Sequence, residues 1–97
     1  MLQEEKYFMQ YVRDKNRNRV GVVVGFPNGD KIGWSKVRHS DGHYMDQFDR
    51  ERGLNIAVGR AMTGTNLVPP RNVQEVIDIM ADRLYRYKNP KVKTEVS

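Results

Sequence analysis

The sequence predicts a small α+β domain: a three-stranded antiparallel meander followed by two helices packed on one face, in the order β-β-β-α-α. Three observations carry this. Valines fill one face of the run from Val20 to Phe26. An Asn-Gly pair follows it directly, the strongest short hairpin signal because both residues tolerate positive φ. The second half of the chain then changes from a two-residue to a 3.6-residue apolar period. The 97 residues give room for one domain and one modest core. That domain is expected over residues 1–90, with a flexible basic tail at 91–97.

The first strand is Tyr7 to Arg13, rich in aromatic and branched residues. Tyr7, Met9 and Tyr11 share one face, and Phe8 and Val12 the other. Asp14 to Asn18 is turn chemistry, with Asn and Asp able to take left-handed backbone angles. In the second strand Val20, Val22, Val24 and Phe26 fall on one face. The opposite face holds Gly21, Val23 and Gly25, nearly bare, and suits a helix or another backbone lying close. Beyond Pro27-Asn28-Gly29-Asp30, Lys31 to Arg38 returns as the third strand, with Ile32 and Trp34 on one side and Gly33, Ser35 and Val37 on the other.

His39 to Phe48 is a polar loop or irregular link. Asp49 to Thr63 is a helix, because Leu54, Ala57, Val58 and Ala61 repeat at i, i+3, i+4 and i+7. Asp46 and Asp49 are both candidates for its N-cap, and Gly64 suits a left-handed end. Glycine inside a helix costs about 1 kcal/mol relative to alanine, so Gly53 and Gly59 predict close packing there. Thr65 to Pro70 is a linker. In the second helix, Asn72 with Glu75 three residues on resembles a capping box. Val73, Val76, Ile77, Met80 and Leu84 make one stripe. Arg83, Arg86 and Lys88 crowd its last turns, where cations meet the negative end of the helix dipole, and Asn89-Pro90 stops it.

Composition narrows the function classes. With no cysteine, disulfides and cysteine-based zinc sites are excluded, and the balance leans to the cytoplasm. The opening MLQEEKYFMQYV has acids where a signal peptide needs a basic segment. No run approaches the roughly 20 apolar residues of a membrane span, so a membrane partner is not expected. Charged residues are 30% and mean hydropathy is −0.76, polar enough that self-association as a homodimer would help so small a core. A net charge of +5 favours polyanions through counterion release.

Three constellations bear on chemistry. Arg13, Lys15, Arg17 and Arg19 surround the first turn. Arg83, Arg86, Lys88, Lys91 and Lys93 end the second helix, interleaved with Tyr85 and Tyr87. Basic residues beside aromatics can hold phosphates and stack on bases. The same residues also read as a solvated face that complements the helix dipole. Arg60 stands between Gly59 and Ala61, small neighbours that let its planar donor fork approach a partner closely; alternatively its stem shields apolar surface. Trp34 is either core or an exposed anchor. The third constellation is His39, Asp41 and His43, followed by Asp46 and Asp49. It could hold a divalent metal for a hydrolase, although Ser40, Asp41 and Gly42 equally make a plain turn with Asx contacts. No cofactor is implied, and no Ser-His-Asp arrangement can be assembled from spacing alone.

The segment KIGWSKVR…DQFDRERGLNIAVGRA, Lys31 to Ala61, resembles small tailed-bacteriophage proteins with an IGWS-like strand and a DxFxxxxGxxIAxGRA-like helix. The shared positions are Ile32, Gly33, Trp34, Ser35, Asp46, Phe48, Gly53, Ile56, Ala57, Gly59, Arg60 and Ala61. The insert at His39–Tyr44 departs from the pattern. The resemblance implies a phage accessory protein in the host cytoplasm and transfers no catalytic residue. The leading expectation is therefore a non-enzymatic protein that binds nucleic acid or a host nucleoprotein complex of defence or transcription. Arg13, Arg17, Arg19, Arg83, Arg86 and Lys88 would face phosphates, with Trp34 and Arg60 as anchors. The alternatives are a protein–protein inhibitor of a host or defence enzyme, and a metal-dependent hydrolase using His39, Asp41 and His43.

Overall fold

The computed structural model describes residues 6–37, 39–40, 43–44, 48–64 and 67–89, with the backbone alone at 39–40 and 43–44. The tail at 91–97 and the alternative cap Asp46 lie outside these residues. Strands β1 (Phe8–Arg13), β2 (Arg19–Phe26) and β3 (Lys31–Lys36) form one antiparallel sheet in the order β1-β2-β3. Helices α1 (Arg50–Thr63) and α2 (Arg71–Lys88) follow it in the chain. The α+β meander with two helices is thus as expected.

The placement of both helices on one face is not. Val22, Val24 and Phe26 of β2 pack with Ala57 and Ala61 of α1, while Val23 packs with Val73 and Met80 of α2. A β-carbon on Gly25 would strike Met80, and one on Gly33 would strike the α1 main chain. Gly25 and Gly33 stand on opposite sides of the sheet, because Gly33 pairs with Val24, next to Gly25. The two helices therefore sandwich the sheet. The physical reason is that β2 is apolar on both faces, and one helical layer would leave half of it in water. From Val20 to Phe26 every residue is buried.

Val20 also departs from simple alternation. Val12 pairs with Gly21 but Arg13 pairs with Arg19, so Val20 is the extra residue of a bulge. It joins Val12 and Val23 on the α2 side instead of Val22 and Val24. At the first turn Asp14 Oδ1 accepts the Asn16 and Asn18 N–H groups, and the left-handed residue is Arg17 (φ 68°), not Asn16 or Asn18. The second turn spans four residues, with positive φ at Gly29 and Asp30, so it is not the two-residue Asn-Gly form.

Helix ends were legible to differing degrees. Asp49 caps α1, accepting from the Glu51 and Arg52 N–H groups. Gly64 ends it at φ 82° but ψ 161°, so the chain leaves extended instead of curling through the left-handed region. The Asn72 capping box does not form. α2 starts two residues earlier, with Pro70 in place of Asn72 as the cap residue, and the Pro70 carbonyl accepts from the Val73 and Gln74 N–H groups. Proline before the first turn already presets the backbone for this start. The expected polar loop contains a short hairpin, β4 (His39–Ser40) and β5 (His43–Tyr44), with Ser40 opposite His43.

Candidate polyanion-binding site

Tyr11 points to the α1 side of β1, where it packs with Met9, Phe48 and the Val22 cluster. Arg13 lies two residues on and shares that face, and the bulge brings Arg19 opposite Arg13. The Arg19 guanidinium carbon sits 4.3 Å from the centre of the Tyr11 ring, and that of Arg13 sits 5.7 Å from it. Both distances are within cation–π range. The two guanidinium carbons therefore lie within about 10 Å of one another, where like charges repel by roughly 0.4 kcal/mol in water. Arg50, the first residue of α1, donates from Nε to the Tyr11 hydroxyl at 3.0 Å. Phe48 closes the ring's remaining approach edge-on, with centroids 6.1 Å apart.

Three arginines from β1, β2 and α1 thus converge on one tyrosine. All three are exposed, and none forms an ion pair among the described residues. Of the nearest acids in sequence, Asp14 accepts turn N–H groups and Asp49 caps α1, while Glu51, next to Arg50 in the first turn of α1, forms no ion pair with these arginines among the described residues. Arg17 closes the turn beside them, and its carbonyl accepts from Arg13 Nη1 at 3.0 Å.

The helix axes reinforce this end of the molecule. Gly53 lies by Ser35, and Ala57 and Ala61 lie by Gly33, so α1 begins near the end of β3, beside the first turn. Met80 and Leu84 sit over Gly25 and Lys88 reaches Asp30, so α2 also runs from the first turn toward the second. Both helices therefore point their positive dipole ends at the side of the sheet that carries Arg13, Arg19 and Arg50.

The remaining candidate residues stand elsewhere. Arg83 lies over the Phe8 ring at 4.4 Å and donates to Gln10 Oε1 at 3.3 Å. Arg86 pairs with Asp82 at 3.1 Å, and Lys88 with both carboxylate oxygens of Asp30 at 2.8 Å. These helix-end cations are at the opposite end of the sheet from Arg13 and Arg19, so the two basic groups do not make one surface. Arg60 reaches around the outer edge of β3. It lies 5.1 Å from the centre of the Trp34 ring and donates from Nη1 to the Trp34 carbonyl at 3.0 Å. That bond satisfies an edge carbonyl and blunts the strand edge. Trp34 itself is half-buried against the α2-side core.

An open groove of about 360 Å³ also lies at the second-turn end, between Ile32, Ala81, Leu84 and Tyr85. Its two charges, Asp30 and Lys88, satisfy each other, which leaves little for an anion. The His39, Asp41 and His43 side chains of the metal alternative lie outside the described residues. Among the described residues no group of three or more His, Cys, Asp or Glu comes together. Among them, too, no helix is long and apolar enough to cross a membrane.

Tyr11 and Arg50 were not singled out as site residues from the sequence. Tyr11 carried a signal, the i, i+2 spacing to Arg13 that puts both on one strand face. Arg50 carried none, since 39 residues separate it from Tyr11. No family model, curated protein or solved structure matches the chain.

Proposed function

We propose that this protein is a non-enzymatic binding module that takes nucleic acid at the end of the sheet marked by Arg13, Arg19 and Arg50. The observation that carries the reading is the convergence of these three guanidiniums on Tyr11 without a carboxylate partner among the described residues. Like charges gathered this closely repel, and a phosphate chain relieves that repulsion while releasing its own counterions. Arginine suits the task because its planar fork donates to phosphate oxygens in pairs. The resemblance to phage proteins would set this binding in an infected cell, with host nucleic acid or a nucleoprotein complex as partner.

The test is fluorescence anisotropy with a labelled 20-base-pair duplex across a salt series. Three phosphate contacts predict a log–log slope of about −3. Arg19→Glu and Arg50→Glu should each weaken binding at least tenfold, whereas Arg86→Glu should change it less than threefold, with circular dichroism showing all variants folded. Absence of binding at low salt, or equal losses from both ends of the molecule, would defeat the proposal.

A further inference from the structure

We infer that this site engages the sugar-phosphate backbone alone and leaves the bases unread; the inference rests on the nucleic-acid reading above. Aromatic rings in nucleic-acid sites commonly serve as stacking platforms, which need an open ring face. Tyr11 offers none. Arg19 lies over its ring at 4.3 Å, Arg13 lies at 5.7 Å, Phe48 meets it edge-on, and Arg50 occupies its hydroxyl. The ring is a support that spaces three guanidiniums, so Tyr11 is a positioning residue. Two other rings repeat the pattern, with Arg60 over Trp34 and Arg83 over Phe8, and Tyr87, well exposed, stands in the last turn of α2 at the second-turn end. Tyr85 is well exposed, but it belongs to the groove at the second-turn end. A site whose rings are already engaged lacks the platform on which unpaired bases stack, and guanidiniums held on a ring and its hydroxyl are placed to meet phosphates, whose contacts set position and carry no sequence.

Three single-stranded probes of equal length and charge separate the outcomes: a mixed-sequence DNA, a thymine homopolymer and a fully abasic strand. The expected result is dissociation constants within threefold of one another and the same salt slope for all three. Tenfold or weaker binding of the abasic strand, with the base-bearing strands bound, would overturn the inference and leave the nucleic-acid reading standing. Failure of all three probes and of duplex DNA at low salt would remove both. Tyr11→Phe adds a check that does not depend on folding, since it keeps the ring and releases only Arg50. It should weaken the abasic and mixed-sequence probes by the same factor and flatten both salt slopes by up to about one. A loss confined to the base-bearing probes would show that the Tyr11 hydroxyl, or the Arg50 it holds, reads bases, and would overturn the inference.

Discussion

A β-carbon built on Gly33 would fall onto the Ala57 carbonyl oxygen and lie 2.5 Å from the Ala61 nitrogen, so strand and helix main chains touch there. Neither neighbour is a flexible side chain that could step aside. Gly53 is crowded more gently, by the Phe48 ring at 3.1 Å and Ser35 Oγ at 3.3 Å. Gly59, expected from the sequence to mark close packing, has nothing within 4 Å of the same probe position. It faces outward from the middle of α1 and bears the conformational cost of glycine without a packing return. Chemical denaturation should therefore split the two positions. Gly33→Ala should cost about 3 kcal/mol or more, because α1 must move off the sheet. Gly59→Ala should stabilise by about 1 kcal/mol. A neutral Gly33→Ala would mean that helix and sheet are not in main-chain contact.

At the scale of elements, the two helices hold the sheet in different ways. α1 comes close through small residues, Ala57 and Ala61 against Gly33 and Gly53 against Ser35. α2 instead inserts Met80, fully buried, into the space that Gly25 leaves open. Met80→Ala should thus cost about 2–5 kcal/mol in urea unfolding, by lost transfer energy and the cavity left behind. Lys88→Gln should cost within about 1 kcal/mol, since its bridge to Asp30 is solvent-exposed and screened. A large loss from Lys88→Gln would show that the bridge closes the second-turn end in earnest. The same elements show what was legible in advance. Strand faces, both apolar stripes and the Asp49 cap follow from local periodicity and local chemistry, and they stand except at Val20 and Val37, which were expected on the faces of Val22 and Gly33, the α1 side, and pack on the α2 side. The opposite-face placement of the helices depends on which side of β2 each stripe finds, a long-range choice that spacing does not encode. The bulge at Val20 was hidden for a related reason: it is a property of pairing between strands, not of either strand alone. The absent Asn72 cap reflects two workable starts two residues apart, of which the earlier follows the extended backbone of Pro70. The basic groups were visible as runs, but that one is paired and the other gathered on Tyr11 needed the fold.

Across the whole molecule, charge and backbone polarity run in the same sense. Arg13, Arg19, Arg50 and both helix N-termini lie toward the first turn, while at the other end Lys88 and Arg86 have Asp30 and Asp82 as partners and Arg83 donates to Gln10. An uncompensated cluster of this kind makes the folded state self-repulsive at one end and relieved by a bound polyanion. The domain is small, and its largest fully buried side chains among the described residues are Met80 and six valines, so a stability gain from binding should be easy to observe. At duplex concentrations near 100 times the dissociation constant, linkage gives about 2.7 kcal/mol of added stability. In a domain of this size each kcal/mol moves the melting midpoint by roughly 4–8 °C. Thermal unfolding followed by circular dichroism should therefore shift upward by about 10 °C or more on adding duplex at low salt, and the shift should collapse by 0.5 M salt as phosphate contacts are screened. The same titration on Arg19→Glu should show about half that shift or less, since a complex tenfold weaker gains about 1.4 kcal/mol at the same duplex concentration. A salt-insensitive rise shared by wild type and variant would locate the ligand away from Tyr11 and require another surface to carry the function.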